Sequence, residues 1–413
     1  MSKCDDVSVV EEELDEEPRS IILSMISQLS KDMDLSRITF PTFVLEPRSF
    51  TERVTDFMSH PDFLINSASK REDPVERFIG VVKYYMSGWH IHPKGVKKPY
   101  NPILGEFFRS RCTFDDKSSA FFVAEQVSHH PPITAMFYHC PEHHIAIEGD
   151  LRPKSRFFGN SVGMLLEGYA KIHFNKWGNE EYLVTYPNMY ARGILFGKMV
   201  LELGETSTVT CEQSDLMFEV EFKTKGLIWG SYNQISGKIK RISTKEVLYD
   251  ISGNWQTTIY IADHRKKSEP VVLFDSSKET VVPQTVACVA EQEANESRNL
   301  WKNVTKAIVE SDLDAATKHK SAIEEEQREV AKRREADGSR FVPRFFQLEI
   351  DGFYHPNLLL KDIPDDPQQA TDKITQWIFT KSGGEELQDF SKPEEDPVVR
   401  ATAAAVAAKS RRH

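Results

Sequence analysis

The sequence has few cysteines, and their spacing matches no known cysteine motif. The five are scattered along the chain, and no two are separated by only two residues: Cys4, Cys112, Cys140, Cys211 and Cys288. An odd number with irregular spacing does not indicate a disulfide framework or a zinc ribbon. We therefore expect reduced thiols.

Long apolar runs and targeting segments are also missing. No window offers the roughly 20 apolar residues that span a bilayer. The first residues, MSKCDDVSVVEEELDEEP, lack the basic and then apolar layout of a secretory signal. Together these absences predict a cytoplasmic protein.

The sequence has no surplus of positive charge and no strong catalytic signature. A formal net charge of −11 argues against a protein that coats nucleic acid, which needs a basic surface. HExxH and P-loop patterns do not occur, and the one GxSxG match, GNSVG at residues 159–163, does not by itself indicate a hydrolase. An enzyme is therefore the weaker hypothesis, and a catalytic triad assembled from distant segments stays open as an alternative.

The charge and hydrophobicity patterns of the sequence divide the chain into regions. Residues 1–18 carry a dense acidic run, Glu11 to Glu17, which is typical of a disordered, solvated tail. In RSIILSMISQL the apolar residues recur at helical spacing, which predicts a short amphipathic helix. We expect its apolar stripe to pack on the protein body, with membrane contact as the alternative.

The middle of the chain has the texture of antiparallel strands. An extended piece at Phe40 to Leu45 precedes a helical pattern that starts near Pro47 and Ser49, and a second helix is predicted from Asp73 to Tyr85. From about residue 105, short alternating runs such as LMFEVEF predict many strands in a barrel or sandwich. Helical patterns return at 290–311 and 314–334, and the tail past residue 383 is predicted to be loosely held.

A cluster of histidines raises the possibility of a metal site. YHCPEHH places three histidines and a cysteine within seven residues. Structural zinc sites pair two half-sites at defined spacing, and the second half-site is missing here. We predict no metal site and no cofactor, and interpret the segment as a solvated turn after a strand.

EQVSHHPP, residues 125–132, carries the most specific chemistry. Adjacent side chains on a regular strand point to opposite faces, so His129 and His130 would not share a ligand there. Pro131 and Pro132 offer no N–H, and Pro131 forces His130 toward extended geometry, so the strand is predicted to end at an irregular rim. Two imidazoles that titrate near neutral pH can donate to a phosphate monoester.

Two further clusters suit the same anion. In KKPYNPILGE, Lys98 is a point charge and Asn101 can donate through its amide. Lys320, Glu324 and Arg328 recur four residues apart, which places them on one face of a helix. Taken alone, that row would be interpreted as an ordinary solvent-facing ion-pair ladder.

These three motifs resemble those of the oxysterol-binding-protein-related lipid-transfer domains. EQVSHHPP resembles that family's fingerprint, and KPYNPILGE and the ladder Lys320, Glu324, Gln327 and Arg328 resemble its companion motifs, in the family order. The resemblance covers roughly residues 35–379. It implies a mainly β fold with α elements: a large, nearly complete antiparallel β-barrel around a lipid tunnel, an N-terminal lid and C-terminal helices.

The resemblance also implies ligands and their contacts. A phosphatidylinositol 4-phosphate head group would be held at the tunnel mouth by Lys98, Asn101, His129, His130, Lys320 and Arg328, with Glu324 orienting the last two. The lid sequence FPTFVLE is similar to that of the phosphatidylserine-transferring subgroup, except that Phe40 replaces an expected aliphatic residue. By this resemblance the lid and mouth residues are Phe40, Thr42, Phe43, Val44 and Leu45, and Ser155 would contact the phosphatidylserine head group.

The expected organisation is an acidic N-terminus at 1–18, a lid at 19–46, a lipid-binding domain at 47–382 and a flexible tail at 383–413. No pleckstrin-homology domain or phenylalanine-and-acid motif is visible. We expect a monomeric cytoplasmic carrier that touches endoplasmic reticulum and plasma membranes transiently and exchanges phosphatidylserine for phosphatidylinositol 4-phosphate. A sterol exchanger and a lipid sensor or scaffold that transfers nothing are the alternatives.

Overall fold

The computed structural model describes residues 44–68, 71–92, 97–194, 199–226, 230–384 and 386–394. The acidic run, the amphipathic helix predicted near residues 22–29, and Phe40, Thr42 and Phe43 lie outside these ranges. Val44 and Leu45 are therefore the two lid residues whose positions can be compared with the prediction.

One large antiparallel sheet dominates the described residues. It contains thirteen strands: β3 Phe107–Thr113, β4 Ser119–His129, β5 Pro132–Cys140, β6 Ile145–Phe157, β7 Ser161–Phe174, β8 Glu180–Val184, β9 Asn188–Arg192, β10 Val200–Cys211, β11 Leu216–Lys223, β12 Gln234–Arg241, β13 Val247–Asn254, β14 Thr258–Asp263 and β15 Val271–Asp275. The strands pair in the order β15-β14-β13-β12-β11-β10-β8-β7-β6-β5-β4-β3, and β9 bridges β10 and β7.

The sheet curls on itself, as predicted for a nearly complete barrel. After β15 the chain returns to the free edge of β3, where the backbones of Arg111 and Thr285 exchange hydrogen bonds of 3.0 and 2.7 Å. Strand alternation follows the sequence: in β11, Phe218, Val220 and Phe222 are buried while Glu219 and Glu221 are exposed. The predicted strand LMFEVEF is therefore confirmed.

The helix predicted at residues 73–85 packs against this sheet as α2, Pro74–Ser87. The Asp73 carboxylate caps it by accepting from the Val75 N–H at 2.8 Å, and Pro74 occupies the first turn, where no intrahelical donor is needed. Phe78, Val82 and other apolar side chains of this helix are fully buried in the main core. Each such side chain contributes about 1.5–3 kcal/mol on burial.

The remaining elements surround the barrel. The other helices are α1 Phe50–Arg53, α3 Ser297–Leu300, α4 Lys302–Val309, α5 Leu313–Asp337 and α6 Pro367–Phe379. The short strands form three pairs: β1 Leu45–Ser49 with β2 Lys98–Tyr100, β16 Val286–Ala287 with β19 Pro393–Glu394, and β17 Phe346–Leu348 with β18 Tyr354–Pro356. A second apolar core joins α6 to the outer faces of β4 and β5.

Three local predictions differ from the structure. The helix predicted to start near Pro47 and Ser49 begins at Phe50 with Ser49 as its N-cap, because Leu45–Ser49 is a strand that pairs in parallel with β2. Residues 290–296 are not α-helical, because their backbone forms a hydrogen bond with the edge strand β3. The Phe107 N–H donates to the Asn295 carbonyl at 3.1 Å. Within the tail predicted to be loose, Gln388 is buried and its amide donates to the Glu296 carboxylate.

Candidate functional site

The two histidines of EQVSHHPP lie together at a tight strand end. β4 ends at His129, β5 begins at Pro132, and the register shifts between Gln126 and Ser128. The imidazole centroids are 4.5 Å apart. The prediction that the strand ends at this point, on an irregular rim, is confirmed.

A short hydrogen-bond chain orients these rings. The Asn101 amide nitrogen lies 3.3 Å from His129 Nε2, and His129 Nδ1 lies 3.1 Å from His130 Nε2. Because an amide NH₂ only donates, His129 Nε2 accepts and a neutral His129 carries its proton on Nδ1. His129 therefore donates to His130, whose Nδ1 is left as the outward donor of the chain.

Burial changes the protonation expected for this pair. Desolvation lowers the pKa of His129 to about 4, and the charge of His130 adds to that effect while Glu324 opposes it. The prediction of an imidazole titrating near its ordinary pKa is therefore wrong for His129. In the protein alone it is a neutral hydrogen-bonding group at pH 7, because burial penalises its charged form.

Lys98 begins β2, and Asn101 lies in the loop that follows this strand. The buried Glu106 carboxylate, at the end of KPYNPILGE, accepts from Trp301 Nε1 at 2.9 Å and from the Ile103 N–H at 3.1 Å. Gly105 has φ of +82°, and a Cβ there would lie 3.0 Å from the Phe341 ring. Gly105 and Glu106, the last two residues of the motif, thus fix the loop rather than face a ligand.

Burial also lowers the pKa of Lys98, to about 8, and repulsion from Lys320 adds to the shift. These two ammonium groups come from distant parts of the chain, β2 and α5. Bringing like charges together is unfavourable without an anion between them. The two converging ammonium groups suit an anionic ligand, although the Glu324 carboxylate already lies 2.6 Å from Lys320.

The α5 residues arrive as the helical spacing predicts. Lys320 Nζ lies 2.6 Å from the Glu324 carboxylate, and its side chain is buried. Arg328 is half exposed, lies 3.7 Å from Glu324 and pairs more closely with Glu325. Glu324 thus fixes Lys320 directly, while Arg328 is shared between two carboxylates.

All seven predicted head-group residues line one cavity of about 840 Å³: Lys98, Asn101, His129, His130, Lys320, Glu324 and Arg328. Leu45 and Ser155 line it as well. We call it the head-group cavity. The fold therefore brings these predicted residues together, although their contacts with a ligand stay predictions.

A second, apolar cavity of about 190 Å³ adjoins the first, and we call it the apolar cavity. Phe50, Lys98, Pro99, Ser155 and Met164 line both cavities. Its other walls come from inside the barrel and from the lid residue Val44, and they include Phe57, Trp89, Leu166, Met189, Leu201, Leu203 and Trp255. A cavity with charged side chains in its wall thus borders an apolar one, as an amphiphile with one charged end requires.

The family model described as Oxysterol-binding protein matches residues 24–308. A Schizosaccharomyces pombe oxysterol-binding protein homolog is 49% identical over 365 residues, covering 86% of this chain and 75% of its own length. Oxysterol-binding protein homolog 7 of Saccharomyces cerevisiae is 44% identical and covers 88% and 83%, respectively.

The chain belongs to the oxysterol-binding protein family. It is thereby one of a class of lipid-binding and lipid-transfer proteins that are not enzymes.

Solved structures of oxysterol-binding protein domains share the fold. The Osh1 ORD domain in complex with cholesterol matches with a TM-score of 0.68 at 23% identity, over 87% of this chain and 91% of that one. The Osh3 ORD in complex with PI(4)P from Saccharomyces cerevisiae matches with a TM-score of 0.62 at 18% identity, over 90% and 97%. At such identities the likeness establishes the architecture alone.

Sequence reasoning missed several residues of this oxysterol-binding protein site. Arg334 and Phe341 line the head-group cavity, and the walls of the apolar cavity were not predicted. Arg334 could have been predicted, because Gln327, Ala331 and Arg334 follow one another at helical spacing on the cavity side of α5. The apolar walls come from strands separated by many residues, so no local pattern identifies them.

The histidine-rich segment YHCPEHH lies away from this site. His143 Nε2 is 3.0 Å from both the Asp116 carboxylate and the Ser118 hydroxyl, within a turn that follows β5. In the parts of the chain that the structure describes, no three His, Cys, Asp or Glu side chains are arranged to hold a metal ion. Across those same parts, no helix is both long and apolar enough to cross a bilayer.

Proposed function

We propose that this protein exchanges phosphatidylserine for phosphatidylinositol 4-phosphate between membranes, one lipid at a time. The observation that carries the proposal is the junction of the two cavities. Converging cations and hydrogen-bond donors line the head-group cavity, and that cavity shares Lys98, Ser155 and Met164 with the apolar cavity.

The proposed binding of the phosphoinositide head group rests on complementary charge. Lys98 and Lys320 repel each other in the protein alone, and a phosphate dianion between them would replace that repulsion with attraction. His130 would add an N–H donor, and Arg328 would add a guanidinium able to bind two oxygens. Glu324 keeps Lys320 in place by its contact of 2.6 Å.

The apolar cavity would shield part of a lipid's chains during transport through water. Moving a two-chain lipid out of a bilayer exposes its chains at a cost of about 0.8 kcal/mol per CH₂. Apolar walls such as Leu201, Leu203 and Met164 would replace the bilayer in transit. Since both lipids would use the same chamber, each delivery frees it for the other, and a phosphoinositide gradient would drive phosphatidylserine uphill.

The second lipid is proposed from the lid. FPTFVLE is similar to the lids of the phosphatidylserine-transferring subgroup, and Val44 and Leu45 line the apolar and the head-group cavity, respectively. Ser155, which lines both cavities, would donate to a serine carboxylate. The protein would act as a cytoplasmic monomer that visits endoplasmic reticulum and plasma membranes.

Transfer between liposomes tests this function. Purified protein should move phosphatidylserine to acceptor liposomes faster when those liposomes contain phosphatidylinositol 4-phosphate. The absence of acceleration would refute exchange. Sterol transfer without phosphatidylserine transfer would establish the sterol alternative, and saturable binding without transfer would establish a sensor.

A further inference from the structure

A further cavity, of about 370 Å³, lies at the end of the barrel opposite the head-group cavity. β5 runs from Pro132, in the wall of the head-group cavity, to Cys140, and the further cavity is lined from the Cys140 end of that strand. We call it the histidine cavity, because its wall includes His139, His144 and His173. Its volume lies within the range of about 300–1,000 Å³ that is usual for small-molecule sites.

The strand register places two of these histidines on one face of the sheet. His139 on β5 pairs with Ala146 on β6, and Ala146 pairs with His173 on β7. Residues directly opposite one another on neighbouring strands project from the same face, so the two imidazoles flank the small Ala146 side chain. His144 joins them from the β5–β6 turn, which is held by the Asn175 N–H donating to the His144 carbonyl at 3.1 Å.

His139 has a ring nitrogen that no neighbouring group satisfies. The side chain is 3% exposed, and its Nδ1 is buried with no hydrogen-bond partner in the described part of the chain. A buried N–H without an acceptor is rarer than a lone pair without a donor, so a neutral His139 carries its proton on Nε2. Because Nδ1 is closed off, the ring meets the cavity with its other edge, which includes Nε2. The wall thus presents an N–H donor to a molecule that enters.

The electrostatics of the three rings favour a negatively charged occupant. Burial lowers the pKa of His139 to about 3, and positive charge on His144 and His173 adds to that effect. His173 Nε2 already lies 3.1 Å from the Glu148 carboxylate, so His139 and His144 are the imidazoles left to meet a ligand. An anion beside them would replace the repulsion between the rings with attraction.

The other polar groups of the wall suit a phosphate. In the part of the wall that the structure describes, Lys361 brings the one ammonium and Asp365 the one carboxylate, so these two charges offset each other. Asn175 and Asn179 add amide groups that can donate. Several donors around one cavity match the three terminal oxygens of a phosphate monoester.

We propose that the histidine cavity binds a small water-soluble phosphate ester, whose phosphate accepts from His139 and His144 and pairs with Lys361. A cavity of about 370 Å³ has room for an organic group beside the phosphate. The inference goes beyond the proposed lipid exchange and does not depend on it, because the two sites lie at opposite ends of the barrel.

NMR of the histidine ring nitrogens tests the proposal in the full-length protein. Titration with inorganic phosphate, at constant pH and ionic strength, should shift the His139 and His144 signals saturably in the millimolar range. The protein alone should show His139 protonated on Nε2, and a proton on Nδ1 would refute the assignment of the donor. The His129 signal reports phosphate in the head-group cavity separately, and saturable shifts of His129 alone would refute the new site.

Substitutions separate a ligand contact from a structural role, with the His144 signal as the readout. His139→Met should weaken phosphate binding about tenfold, whereas His139→Gln, which keeps a donor near the Nε2 position, should retain most of it. Lys361→Met should also weaken binding, and Lys266→Met, at an exposed lysine outside the cavity, is the matched control that should change nothing. Equal loss in both His139 variants, or no loss in Lys361→Met, would refute the proposed contacts.

A final comparison distinguishes a soluble ligand from a lipid head group. Liposomes that contain phosphatidylserine should leave the His139 signal unchanged. A shift caused by these liposomes, in a protein whose His139 signal does not respond to inorganic phosphate, would refute the soluble ligand in favour of a bilayer contact.

Discussion

The lowered pKa of Lys98 should make the proposed phosphoinositide binding depend on pH in a defined direction. Lys98 has a pKa of about 8 in the protein alone, because it is buried and lies near Lys320. The anion needs its charged form, so affinity is highest below pH 8 and falls as the pH rises through that value. The phosphate is already largely dianionic at pH 7, since its second pKa is about 6.

The size of the effect follows from the charged fraction. With a pKa of about 8, roughly ten elevenths of the Lys98 side chains are charged at pH 7 and one eleventh at pH 9. Affinity for phosphatidylinositol 4-phosphate should therefore fall about tenfold between these two values, equivalent to about 1.4 kcal/mol.

Extraction of fluorescent phosphatidylinositol 4-phosphate from liposomes at constant ionic strength measures this dependence. Lys98→Arg is the control, because a guanidinium stays charged across the range and the curve should become flat. Equal affinity of the wild type at pH 7 and pH 9 would refute the reasoning. An unchanged slope in Lys98→Arg would assign the dependence to another group.

Three further outcomes are expected. The double change His129→Ala and His130→Ala should abolish phosphoinositide extraction and leave phosphatidylserine extraction largely intact; equal loss of both would make the pair structural. Arg109→Met should cost about 3–5 kcal/mol of folding free energy by calorimetry, because Arg109 is fully buried and its loss leaves the buried Glu296 carboxylate, 2.9 Å away, with neutral donors such as the Gln388 amide but without its cationic partner. A change in Tm like that of an exposed Lys→Met control would contradict this. Glu148 and Asp351 raise the pKa of His355 to about 9, so the charged imidazole stabilises the fold below pH 6.5 and this stabilisation, roughly 1 kcal/mol after screening, is lost as the pH rises to 9. The Tm of His355→Gln should lack the corresponding fall. An equal fall of Tm in wild type and variant would exclude His355 as its source.

The strand end at the histidines could be predicted because its cause is local. Pro131 and Pro132 remove backbone donors wherever the chain folds, so the break after His129 follows from covalent structure. The cap and first turn of α2 were predictable for the same reason, since Asp73 and Pro74 act on their own helix. Signals of this kind were also present for α6 but were overlooked: Asp366 caps it, and Ala370, Ile374 and Ile378 recur on its buried face.

Other features depend on contacts between distant residues. Leu45–Ser49 becomes a strand because β2 pairs with it, and no local propensity reveals that partner. The pKa of His129 depends on burial, which its sequence neighbours do not determine. The convergence of Lys98 with Lys320 was expected through the family resemblance rather than from spacing, because more than two hundred residues separate them.

The central claim is that one chamber holds either lipid but not both. Native mass spectrometry of the protein after incubation with liposomes containing both lipids tests it directly. We expect one lipid per chain, with phosphatidylserine displaced in proportion as phosphatidylinositol 4-phosphate is raised. A chain that carries both lipids together, or phosphatidylserine occupancy that does not respond to phosphatidylinositol 4-phosphate, would contradict the claim.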